Sequence, residues 1–297
     1  MSTEKKSALF RRGADAARRV AGCSNLYFCP LCKGAFSQEA LASGELTLEH
    51  IPPKSVGGRA LALTCKPCNN TAGHRVDAAL HRRAQVDAFS ELLLQGVGEG
   101  PFRAVLGIAG ERVNVDVTRE ESGTTVLCIH PHINSPEVLQ RITQHLEITS
   151  TFGDFTIHSR DRYHRRTAQV GELRAAYLAA FAFFGYRYAF HRRLDPVREQ
   201  IHRPDERIIH AWTLGLHDSE PRRAIFLVEA LHAVVIQLGQ TGILLPWLED
   251  PVEEFYGALH SRYSQNEHIR FSGKLLGWPS GLEMWLDLPS SEQSRPA

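Results

Sequence analysis

The chain has 297 residues, of which 43% are apolar and 23% charged, the balance of an ordinary folded protein rather than of a collagenous, low-complexity or disordered one. Thirty-four Lys and Arg against 33 Asp and Glu leave a formal charge of +1, so no global basic field accounts for its function, and nucleic-acid contact would have to arise at local sites. The length suits one large or two modest domains and buries a core without disulfide staples.

Residues 1–24 read as a basic N-terminal segment. Lys5, Lys6, Arg11, Arg12, Arg18 and Arg19 occur there without an apolar run, which is not the pattern of a secretory signal, so a cytoplasmic location is expected. The two most apolar stretches, 175–190 and 224–248, are interrupted by Arg187 and by Glu229, His232 and a Gly-Gln-Thr-Gly turn. Neither reads as a membrane span, and no membrane partner is expected.

Four of the six cysteines form two pairs, Cys29-Pro-Leu-Cys32 and Cys65-Lys-Pro-Cys68. In a reducing compartment one such pair is a zinc knuckle or a redox motif, but two together point to a single tetrahedral Zn²⁺ held by four thiolates. Such an ion is structural: it replaces core that a short module cannot build. Cys23 and Cys128 stand alone and read as small buried hydrophobes.

The loop between the pairs exceeds the roughly 15–20 residues of a simple zinc ribbon. Alternation at Leu46, Leu48 and His50 predicts a short strand, Pro52, Pro53 and Gly57-Gly58 a rigid turn, and residues 60–63 a second strand. Asn69-Asn70-Thr71-Ala72-Gly73-His74-Arg75-Val76-Asp77 then leads into a helical sequence over 78–94.

This ordered set resembles the HNH endonuclease family over about residues 25–80: a cysteine pair, Glu49-His50-Ile51-Pro52, a Gly-Gly loop, a second pair and an Asn directly after it. The resemblance implies a ββα-metal core, two antiparallel strands and a helix around a divalent ion, braced by the Cys₄ zinc. It implies that His50 is the general base, that Glu49 and Asn69 hold a catalytic Mg²⁺ or Mn²⁺, and that His74 fills the third position. A bent strand end would turn Glu49 to the ion and His50 to the water, since neighbours on a strand otherwise face apart. Asn70 and His74, four apart, share a helix face better than Asn69 and His74 do, so Asn70 and Asp77 are alternate ligands. Glu49 stands where Asp is commoner in the family, and Ala72 where many members carry Lys.

A loop at 96–101 marks the expected boundary between a nuclease domain over 25–95 and a mixed α+β domain over 101–280, with a flexible tail over 281–297. In that second domain, strands are predicted at 102–108, 112–118, 124–129 and 152–158, a helix at 136–147, and a helix buried nearly all round at 170–192. Further strands follow at 208–214, 223–230, 232–238 and 243–247, the last two joined through Gly239–Gly242 as a hairpin. Between His158 and Arg207 there are eleven arginines against six acidic residues, which makes Arg165 and Arg166, with Lys54 beside the nuclease turn, candidates for contact with the DNA backbone. The plainer reading is ordinary surface arginines around a buried helix.

The expected fold class is therefore α+β, with an N-terminal zinc-braced ββα-metal core. The expected function is metal-dependent endonucleolytic hydrolysis of DNA, in bacterial defence or a mobile element, with the second domain serving target recognition or regulation. The alternative is a non-catalytic zinc module that binds nucleic acid or protein. Such a module has no need of the Glu49, His50 and Asn69 set.

Overall fold

A computed structural model describes residues 2–98, 100–149, 154–160, 162–216, 220, 222–248, 254–263 and 270–289. The chain is α+β and divides into two compact units, Met1–Leu80 together with Arg165–Ala297, and His81–His164. The boundary expected at 96–101 therefore falls elsewhere. Residues 81–164 are an insertion, and the stretch following it returns to the unit that holds the cysteine pairs.

Helix α1 (Ser2–Ala21) opens the first unit. Leu9, Phe10, Ala14, Ala16 and Ala17 are buried, an apolar stripe at helical spacing, so residues 1–24 are part of a core rather than a separate basic segment. Two of its arginines reach the far end of the chain. Arg12 donates to the carbonyls of Leu282 (3.2 Å) and Glu283 (2.8 Å), and Arg19 to that of Asp287 (2.6 Å). Leu282, Met284 and Asp287 are buried, which corrects the expectation of a flexible tail from 281; residues 290–297 lie outside the described residues.

Strands β1 (Tyr27–Phe28) and β2 (Ala35–Phe36) flank the first cysteine pair, and a short helix α2 (Glu39–Ala42) follows. Strand β3 (Leu46–Ile51) pairs antiparallel with β4 (Arg59–Cys65), with a register shift between Glu49 and His50. The turn joining them runs through Pro52, Pro53 and a 3₁₀ turn at Lys54–Val56, closed by Gly57 at φ 76°. A Cβ on Gly58 would lie 1.4 Å from the Pro52 carbonyl oxygen, so glycine is required there. Helix α3 (Lys66–Ala72) follows directly, continues through a π turn at Gly73–Asp77 and runs into α4 (Ala78–Gln95).

The second unit is a four-stranded antiparallel sheet in the order β7-β6-β5-β8, from β5 (Phe102–Ile108), β6 (Glu111–Arg119), β7 (Thr125–Ile129) and β8 (Phe155–Ser159), with helix α5 (Pro136–Thr149) inserted before β8. Leu106, Ile108, Val113, Val115 and Val117 alternate inward with Leu92 and Ile142, the period-2 pattern the sequence predicts. Residues 152 and 153 of the predicted strand at 152–158 lie outside the described residues. Cys128 is exposed and Cys23 half-buried, so neither is the buried hydrophobe expected.

Helix α6 (Arg165–Phe184) returns to the first unit and is buried almost continuously from Val170 to Phe184. Gly185, at φ 95°, ends it, so the helix expected over 170–192 is instead α6 and a short α7 (Tyr186–Ala189). Helix α8 (Asp195–His202) follows. A five-stranded antiparallel sheet in the order β13-β10-β11-β12-β9 completes the unit: β9 (Thr213–Gly215), β10 (Arg222–Val228), β11 (Ala233–Gly239), β12 (Thr241–Pro246) and, after helix α9 (Phe255–Tyr263), β13 (Lys274–Gly277). The strand predicted at 208–214 is confined to Thr213–Gly215, whereas the hairpin through Gly239–Gly242 forms as expected. Helix α6 packs on β11 and β12 on one side and on β3, β4 and the π turn on the other. Leu46, Ile51, Leu61 and Leu63 consequently share one core with Leu173, Tyr177, Val235 and Ile243. No helix among the described residues is long and apolar enough to cross a membrane.

Candidate active site and zinc centre

The four paired cysteines come together. Their sulfur atoms all lie within 4.8 Å of one another, none is in a disulfide, and Cys32 and Cys65 Sγ are 3.6 Å apart. Thiolates at 2.3 Å around a tetrahedral ion stand about 3.8 Å apart, so the donor set fits Zn²⁺. Hydrogen bonds from Cys29 and Cys68 push the Cys65 thiol down to about 4, while Cys32 and Cys68 are pushed up, Cys32 by its bond to Cys29 and Cys68 by those to Cys29 and Cys65. Four thiols so crowded cannot all ionise without a cation among them. The brace is tied to the hairpin by Tyr27, whose hydroxyl donates to the Leu63 carbonyl (2.8 Å) and accepts from the Leu63 amide (3.1 Å).

Beside it, β3, β4, α3 and α6 carry one continuous polar chain. Asn69 Nδ2 donates to Thr47 Oγ1 (2.8 Å), which donates to the Thr64 carbonyl (3.2 Å). Because the Thr47 hydrogen is committed, its lone pair faces Asn69, and the Asn69 carboxamide oxygen turns to the other side. Thr64 Oγ1 donates to Glu49 Oε2 (2.7 Å), and Arg174 Nη2 donates to the same oxygen (2.6 Å). Arg174 Nη1 lies 3.4 Å from Asp77 Oδ1. Burial pushes both carboxyls upward and Arg174 opposes it. Arg174, whose burial alone would lower it, is held above the ordinary guanidinium value by Glu49 and Asp77.

The π turn explains why Asp77 joins this chain. Two α-helical turns take about 7.2 residues and a π turn about one more, which brings Asn69 and Asp77, eight apart, onto one face. Asn70 is exposed, so the structure sets Asn69 rather than Asn70 toward the hairpin. His74 lies within the π turn, and its side chain falls outside what is described. His50 lies just past the register shift, half-exposed, while Glu49 is 3% exposed; the shift supplies the bend that separates the two. Burial, then Lys54 and Lys5, lower the His50 imidazole below its ordinary value, keeping it neutral near pH 7.

The sequence reading missed Arg174, Thr64 and Thr47. Arg174 was visible as a charge inside the apolar run of α6, where solvent-facing arginines do not belong. Of the arginine pair assigned to DNA, Arg165 is exposed. Arg166 instead stacks on Trp212 (4.2 Å) and donates to Gln200 Oε1 (2.8 Å) and to the Ile209 carbonyl (3.0 Å), so it is committed to the protein's own packing.

A two-stranded antiparallel hairpin followed by a helix, with four converging thiols beside it, is the ββα arrangement that the resemblance to HNH endonucleases implies. The model of the HNH endonuclease family matches residues 29–85, the segment from the first paired cysteine into α4. This chain therefore carries an HNH endonuclease domain. No curated protein and no solved structure matches the chain.

Proposed function

We propose that the protein is a metal-dependent endonuclease that hydrolyses phosphodiester bonds of DNA, with zinc at the four cysteines for structure and Mg²⁺ or Mn²⁺ at the hairpin for chemistry. The observation that carries the reading is that the oxygen-bearing side chains of Glu49, Asp77 and Asn69 are tied into one polar chain through Thr64, Arg174 and Thr47, with His50 following Glu49 directly on β3. Carboxylate and carboxamide oxygens suit Mg²⁺ and Mn²⁺, so the donor chemistry fits. His74 completes the ligand set suggested by the resemblance, with Asp77 the alternate that the Arg174 contact favours over Asn70.

Glu49, Asn69 and His74, or Asp77 as the alternate, would hold the divalent ion, which when bound would supply charge neutralisation for the phosphate and the leaving oxygen. His50 accepts the proton of the attacking water. Thr47 and Thr64 hold Asn69 and Glu49 in place, and Lys54, exposed on the turn beside His50, with Arg165 contributes attraction for the phosphate backbone. A role in defence or in a mobile element, with residues 81–164 for recognition or regulation, extends this reading.

The test is incubation of zinc-loaded protein with supercoiled plasmid and, separately, with single-stranded RNA, with and without added Mg²⁺ or Mn²⁺. Divalent-dependent nicking or linearisation of the plasmid is expected. Binding without cleavage under every ion would favour the zinc interaction module instead.

A further inference from the structure

We propose that Arg174, contributed by α6 from outside the segment matched by the family, is a positioning residue of the nuclease centre that fixes the Glu49 and Asp77 carboxylates for a divalent ion. The inference rests on the divalent-centre reading above. Arg174 is 1% exposed, and taking a guanidinium out of water is costly enough that an ion pair so buried is weak ground for stability. Its Nε has no hydrogen-bond partner among the described residues, a further cost that a purely packing role leaves unexplained. What the residue does accomplish is geometric.

Both bonds to Glu49 end on Oε2, one from Thr64 and one from Arg174. The carboxylate cannot rotate without breaking both, and Oε1 is left as its ligand edge. The second guanidinium nitrogen reaches Asp77 from the same plane, so one rigid fork sets two acids that come from different elements, β3 and the π turn. A lysine ammonium offers a point charge and no such fork. Partners that hold ligating carboxylates are typically worth about 10–100-fold in metal affinity or activity. The centre is thus built by two distant parts of the chain, and the matched segment alone lacks one of them.

Zinc-loaded full-length protein is titrated with Mn²⁺, and free Mn²⁺ is followed by electron paramagnetic resonance, for the wild type, Arg174→Gln, Arg174→Lys and Thr64→Val. Expected is a loss of Mn²⁺ affinity of about 10–100-fold in Arg174→Gln, a smaller loss in Arg174→Lys, and a loss in Thr64→Val, with zinc content retained and plasmid cleavage saturating only at correspondingly higher Mn²⁺. Unchanged affinity in a zinc-retaining Arg174→Gln overturns the inference by reducing Arg174 to packing. Tighter binding overturns it too, by making Arg174 a competitor for the ion. Where Arg174→Gln fails to fold, Arg174→Lys decides on the same terms, since it keeps the charge and loses the fork. Wild-type protein that takes up zinc but no Mn²⁺ overturns the divalent-centre reading, and this inference with it.

Discussion

His50 and Glu49 are sequence neighbours with opposite surroundings, one at the protein surface and one almost sealed, because the register shift falls between them. A neutral imidazole is the state a general base requires, and such a base contributes roughly 10²–10⁴ in rate. His50→Ala is expected to lose cleavage by that factor while zinc content and melting temperature stay as in the parent; equal rates would remove His50 from the mechanism. Asp287 invites a different measurement. It accepts from the Tyr186 (2.5 Å) and Arg187 (3.1 Å) amides, and burial pushes it up to about 6. The ordinary carboxyl value is about 3.9, so the folded state binds this proton more tightly. The stability Asp287 contributes is therefore fullest below about pH 4 and falls, by on the order of 2 kcal/mol, as pH rises toward 6. In urea unfolding, the margin of the wild type over Asp287→Asn should shrink across that interval, and a flat margin would contradict it.

Helix α6 does more than fill the core, because it passes the π turn at close range. A Cβ on Gly171 would sit 2.8 Å from the Val76 carbonyl oxygen and 3.2 Å from Leu80 Cβ. Alanine gains about 1 kcal/mol over glycine inside a helix, but overpacking costs about 1–3 kcal/mol. Gly171→Ala is expected to lower the melting temperature despite the better propensity, and to reduce cleavage, since Asp77 directly follows Val76. A variant that melts higher than the parent would show that the turn yields freely. The same helix shows why charge counting misled at this scale. Among the eleven arginines of 158–207, Arg174 is held by Glu49, Arg166 by Trp212 and Gln200, and Arg198 by Tyr177, Ala189 and Asp195. Sequence registers their charge and is silent on their partners.

The β3–β4 hairpin, the four-cysteine cluster and the five-stranded sheet share one core, while residues 81–164 have a separate one. Zinc binding energy is folding energy in small sites, so stripping the metal should unfold the first unit and leave the second. Calorimetry of chelated protein should show one transition moved down or abolished and another unchanged; a single transition shifting as a whole would mean the units unfold together. A fragment ending at residue 100 is expected to be insoluble or molten with zinc present, because Leu46, Ile51, Leu61 and Leu63 lose Leu173 and Tyr177 as neighbours. A fragment that folds with a sharp melt would show the hairpin to be self-sufficient.

The cysteine cluster, the hairpin turn and most of the strands were legible from the sequence. The paired cysteines, the Glu-His-Ile-Pro run, the Gly-Gly turn and the alternating strands each depend on a handful of consecutive residues, and spacing alone specifies what thiols, prolines and pleats can do. The tertiary structure decided what depends on residues far apart. That α1 and residues 281–289 are core, that 81–164 is an insertion, and that Glu49 is met by an arginine 125 positions later each depend on contacts between segments distant in sequence. A helix apolar all round must be wrapped, but its pattern does not say by which segments. Only packing assigns those, and with them the arginine that meets Glu49.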